Sequence, residues 1–103
     1  MSAQEHLEQI TENPKRVVAA CLKSTKFLEA CKTRKVDPQK TALKMINAMS
    51  SNSSKPWVAA RIAFVNSMQR VLEKETDPVQ IVLRRRKVLF AIFSQLLIPR
   101  KRR

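Results

Sequence analysis

The chain has 103 residues, enough for one domain with a modest core and too few for a second. Twenty-one Lys and Arg against eight Asp and Glu give a net charge of +13 and an isoelectric point near 10.8, which calls for an anionic partner: nucleic acid, an anionic membrane surface or an acidic protein. A hydrophobic fraction of 44% excludes a disordered polybasic arm; the absence of Gly leaves no residue for tight hairpin turns, so the fold class is all-α.

Five prolines punctuate the sequence. Proline suits the first helical position, and a preceding Asn or Asp suits the cap, as in Asn13-Pro14, Asp37-Pro38 and Asp77-Pro78. Lys55-Pro56 follows the polar run Ser50 to Ser54 and is a weaker start; Pro99 ends the last helix. These signals predict a small bundle of about five helices in a single helical domain, 1–99, with 100–103 as a disordered basic tail.

The first helix is expected over Ala3–Glu12, with a capping box from Ser2 to Glu5. The second is expected to run unbroken over Pro14–Lys35. On a helical wheel, Val17, Ala20, Cys21, Ser24, Phe27, Leu28 and Cys31 form an apolar-to-small stripe. Lys15, Arg16, Lys23, Lys26 and Arg34 fall on a roughly opposite arc that holds no acid, although Glu one turn away is the usual companion of a solvated Lys. At a rise of 1.5 Å per residue this line of cations would extend about 28 Å, a candidate phosphate-binding face.

Pro38–Met49 continues the theme, with Lys40 and Lys44 one turn apart on the side away from Ala42, Leu43, Ile46 and Met49. Pro56–Glu75 is apolar around much of its circumference, from Trp57 through Phe64 to Leu72, and so must be covered. Either a second copy covers it, giving the expected homodimer, or it is the central helix of a monomeric bundle. Pro78–Ile98 carries Arg84, Arg85, Arg86 and Lys87, which circle the helix and cannot all face one ligand, followed by the apolar stretch Val88–Ile98. That stretch is too short to cross a bilayer, which takes about 20 residues. With the Arg100–Arg103 tail, the basic run also has the composition of a localisation signal.

Chemistry finds no foothold. Cys21 and Cys31 match no metal-ligand set, no cofactor motif exists, and His6, the sole histidine, lies near a terminus expected to be mobile. A disulfide is not expected between two cysteines ten residues apart in one helix. The polar, acidic N-terminus is unlike a signal peptide, so reduced thiols and an intracellular location are expected. The protein reads as a binding protein and not an enzyme.

The aromatic residues Phe27, Phe64, Phe90, Phe93 and Trp57 sit in apolar runs, so no platform for stacking single-stranded bases stands out. Nor does a helix-turn-helix with base-reading Arg, Asn or Gln. Duplex recognition by shape and backbone remains, the usual mode for double-stranded RNA.

Three stretches add to this: "LEQITENPKRVVAA" (Leu7–Ala20), "LEAC" followed by Arg34, and "KPWVAA" (Lys55–Ala60). Together they resemble the small RNA-silencing suppressors of insect nodaviruses, helical homodimers that coat double-stranded RNA and shield it from Dicer. The resemblance spans roughly the first sixty residues. It implies that Cys31, Arg34 and Lys55 touch RNA, with Lys44 as the equivalent of the family's remaining basic contact, and it implies action in the host cytoplasm. Asp37-Pro38 interrupts what the family has as one continuous helix, and the basic C-terminal helix has no counterpart there.

The resulting expectation is a homodimer whose second helices lie side by side on an A-form duplex. Lys15, Arg16, Lys23, Lys26, Arg34, Lys40 and Lys44 would reach phosphates, and Cys31 and Thr33 would approach ribose 2′-OH groups. A direct grip on a host silencing protein such as Dicer is compatible with this. The rivals are a nucleocapsid-like or DNA-compacting protein, and a basic module that uses its last helix on a membrane surface or a protein partner.

Overall fold

The computed structural model describes residues 1–50 and 55–97. They form six helices: α1 (Ala3–Glu12), α2 (Pro14–Cys21), α3 (Thr25–Arg34), α4 (Pro38–Met49), α5 (Lys55–Lys74) and α6 (Pro78–Leu97). Among the described residues there is no strand, and the protein is all-α. The expected helix end at Ile98 and Pro99, the basic tail and most of the polar run before Lys55 lie outside the described residues.

Local chemistry sets most helix starts. The Ser2–Glu5 capping box closes both ways: Ser2 Oγ accepts from Glu5 N at 3.1 Å, and Ser2 N donates to Glu5 Oε1 at 2.9 Å. Asp37 accepts from Lys40 N at 2.9 Å, and Asp77 accepts from Val79 N at 3.0 Å. Asn13 departs from the expectation. It is the single residue between α1 and α2, its backbone (φ −127°, ψ 73°) serves both ends, and its side chain makes no capping bond.

The expected continuous helix Pro14–Lys35 is two helices. Leu22 and Lys23 form a turn, closed by Lys23 N to Ala20 O at 3.1 Å and Ser24 N to Cys21 O at 3.0 Å. Ser24 then adopts an extended backbone (φ −87°, ψ 114°), and its Oγ accepts from Phe27 N at 3.3 Å. Serine competes for backbone groups inside a helix and satisfies them at an N-cap, so the break falls there. Burial explains why it is needed. At about 100° per residue, Val18 would lie opposite Phe27 and Cys21 opposite Ala30 on one straight helix, yet all four are buried. The turn lets α2 pack on α4 while α3 packs on α6.

At its far end, α3 closes with Val36 N donating to Cys31 O and Lys35 N to Lys32 O, both at 3.1 Å. This arrangement requires a left-handed residue, and in a chain without Gly it falls to Lys35 (φ 58°, ψ 46°).

All six helices contribute to one core, which includes Leu7, Cys21, Phe27, Ile46, Phe64 and Phe93. Phe27 and Phe93 meet with ring centroids 6.3 Å apart and planes tilted by 55°, joining α3 to α6. On α4 the buried face is Ala42, Met45, Ile46 and Met49; Leu43, expected there, is 42% exposed. Arg61 of α5 is half-buried and donates from Nη1 to the Met49 carbonyl, neutralising an orphan acceptor at the α4 C-terminus. The coverage that α5 demands comes largely from α1, α4 and α6 of the same chain, which bury Ala60, Phe64 and Met68. Val58 and Ile62 of α5 remain exposed, as do Val79 and Leu83 of α6.

Two substitutions test these local features. Lys35→Gly relieves the left-handed backbone and should raise stability by roughly 0.5–1 kcal/mol, a gain of a few degrees in Tm by thermal unfolding. Ser94 is 5% exposed, and its hydroxyl has no hydrogen-bond partner among the described residues. Ser94→Ala should therefore raise the denaturant midpoint, by about 1 kcal/mol in stability.

Candidate nucleic-acid interface

The break at Ser24 redistributes the expected line of cations. Lys15 and Arg16 lie exposed on α2, Lys23 lies exposed in the turn, and Lys26 and Arg34 lie exposed on α3, which points elsewhere. Lys40 and Lys44 are exposed on α4, and Lys55 is exposed at the start of α5. The straight 28 Å ridge expected at about 1.5 Å per residue therefore does not exist; the cations are spread over four helices and one turn.

Cys31 is not at the surface. Its side chain is fully buried, and burial, followed by the charge of Asp37, pushes its thiol up from the usual value. It cannot touch a ribose without unpacking the core. The two cysteines also lie in different helices, with Cys21 ending α2 and Cys31 on α3, and both are free thiols. Burial and the neighbouring Cys31 push Cys21 up to about 12. Thr33 is exposed, with its Oγ1 donating to Glu29 O at 3.0 Å; the hydroxyl proton is committed, and the oxygen lone pairs face water.

Few of the positive charges are neutralised internally. The single ion pair among the described residues joins Arg84 Nε to Glu75 Oε2 at 3.6 Å, at the surface. Helices α2 and α4 contain no acid at all.

The structure brings together a set that the sequence reading passed over. An open groove of about 600 Å³ lies between the α1–α2 elbow and α6. Gln9, Asn13 and Arg16 line one wall and Arg85, Arg86 and Phe90 the other, over a floor of Ile10, Val17, Ala20, Val82 and Leu89. Glu12 is the one acid in the lining. Within the run Arg84–Lys87, residues 85 and 86 straddle the line of the buried Leu89 and Phe93, whereas residues 84 and 87 point outward. That phase was the legible signal for the pair.

His6 holds this wall in place and is not on a mobile end. It is 6% exposed, and Arg85 Nη1 donates to its Nδ1 at 3.1 Å and to Gln9 Oε1 at 2.6 Å. A guanidinium can only donate, so Nδ1 is the acceptor and the imidazole proton sits on Nε2. Burial first, then the charges of Arg85 and the N-terminus, lower the His6 pKa from 6.5.

Compared with protein families, curated proteins and solved structures, the chain matches none. Among the described residues, no helix is long and apolar enough to cross a membrane.

The depressed His6 pKa has a defined sign. As pH falls through 6.5, the unfolded chain takes up a proton that the folded chain refuses, so stability declines until pH is below the folded-state value. Denaturant unfolding from pH 7.5 to pH 5 should show this decline, and His6→Gln should remove that part of it.

Proposed function

We propose that the protein binds double-stranded RNA through its phosphate backbone without reading base sequence, shielding the RNA from Dicer and so suppressing RNA silencing. The observation that carries this reading is the spread of exposed cations on α2, α3 and α4 with no carboxylate partner among the described residues. Such a surface is self-repelling until an extended polyanion neutralises it.

The aromatic residues support a duplex over a single strand. Phe27, Phe64 and Phe93 are fully buried, and Trp57 and Phe90 are half-buried, so no exposed row of rings is available for successive bases. The preference for RNA over DNA rests on the resemblance to the nodaviral suppressors. Lys15, Arg16, Lys23, Lys26, Arg34, Lys40, Lys44 and Lys55 contact phosphates in this reading, and Thr33 accepts from a ribose 2′-OH. Cys31 plays no part. The protein acts as a binding protein in the host cytoplasm. A homodimer doubles the cationic surface, with Val58 and Ile62 as the exposed apolar residues available for pairing.

A gel shift with matched RNA and DNA duplexes tests the reading. Duplex RNA is expected to bind more tightly than duplex DNA and to resist Dicer when bound. If each subunit neutralises about five phosphates, the log–log salt slope is about −4 per subunit. Lys23→Ala/Lys26→Ala/Arg34→Ala should weaken binding by about tenfold or more. Equal affinity for the two duplexes, or unchanged binding in the triple variant, would count against the proposal.

A further inference from the structure

We propose that the groove between the α1–α2 elbow and α6 binds a nucleoside phosphate, with its phosphate on Arg16, Arg85 and Arg86 and its base against Phe90. This goes beyond backbone binding and stands whether or not the duplex reading holds, because its ligand is a single nucleotide.

Three guanidinium groups from two distant segments face one groove. None has a carboxylate partner among the described residues, although Arg84, their neighbour on α6, has Glu75. Glu12 lies at the same groove, is exposed, and makes no ion pair with them. Arg85 is half-buried, and its two acceptors, His6 and Gln9, are neutral groups that both engage Nη1. A guanidinium has five N–H donors, so those on Nε and Nη2 have no protein acceptor among the described residues. Burial, and then the charges of Arg86 and Arg16, pull Arg85 below its usual value. Arg16 and Arg86 are exposed, so the cost of a desolvated cation without a counter-ion falls on half-buried Arg85, and a bound oxyanion offsets it. Planar guanidinium groups match phosphate oxygens two at a time, and Arg85 is already clamped in one orientation.

The rest of the groove argues for more than inorganic phosphate. Its volume of about 600 Å³ falls in the range of small-molecule pockets, and Phe90, Val17 and Leu89 give it an apolar side next to the arginines. A flat base satisfies that side, since every base presents a π-face to a phenyl ring. A single base stacked in this way carries no sequence preference.

Titration of the full chain with uridine 5′-monophosphate, followed through the arginine Nε–H resonances, tests the proposal. The nucleotide is expected to shift Arg85 and Arg86 and to bind about tenfold tighter than uridine or inorganic phosphate. Arg86→Gln should weaken it by about tenfold, while Lys87→Gln, which points outward, should leave it nearly unchanged. Phe90→Leu should lower nucleotide affinity to that of inorganic phosphate, and circular dichroism checks that each variant folds. A 5′-phosphorylated RNA duplex that displaces the nucleotide better than its unphosphorylated twin makes a strand end the source of the ligand; equal displacement makes it the free nucleotide. Equal losses in Arg86→Gln and Lys87→Gln would reduce the effect to net charge and overturn the site. Equal affinity for nucleotide and inorganic phosphate, or stronger binding of a phosphoserine peptide, would overturn it as well.

Discussion

Where α2 stops, the Ser24 hydroxyl takes the amide hydrogen of Phe27, and the chain changes direction. Everything that follows depends on that turn. It lets Val18 and Cys21 face the core from α2 while Phe27 and Ala30 face it from α3, pairs that one straight helix would set on opposite sides. Phe27 then meets Phe93, fixing α6 against α3. With α6 in place, Arg85 and Arg86 stand across from Arg16 on the elbow. A local capping bond thus sets both the shape of the core and the composition of the groove.

Charge is the second constraint. With +13 on 103 residues and a single ion pair among those described, the fold does little to neutralise itself. Surface ion pairs add little stability, so their scarcity costs the fold little. The cations therefore stay without an internal counter-charge. Two kinds of cation result. Lys15, Lys23, Lys26, Arg34, Lys40 and Lys44 are exposed and suited to a backbone that passes over them. Arg85 is half-buried and oriented by His6 and Gln9, the arrangement of a group that holds one ligand in one pose.

The same clamp ties the N-terminal helix to the last one. His6 gives Arg85 an acceptor without giving it a counter-charge, provided the imidazole stays neutral. Protonation would place a second positive charge against the guanidinium, so α1 is held to α6 more firmly at neutral pH than in acid. Stability and the organisation of the groove are coupled through one hydrogen bond.

What could be read from the sequence was local. The Ser2–Glu5 box and the caps at Asp37 and Asp77 act across two or three residues, and proline fixes its own backbone, so these starts were legible before any packing was known. The all-α class followed from a composition without Gly. Net charge named an anionic partner but no site. Tertiary structure decided where the edges of the buried faces fall. Cys31 is buried, as its place on the apolar stripe required and against the RNA contact that the resemblance implied, while Leu43, expected in the core, is exposed because the phase of α4 against the core depends on neighbours distant in the chain. Arg16, Arg85 and Arg86 share a groove for the same reason. Capping and composition act along the chain, whereas a site built from both ends exists only once packing brings those ends together.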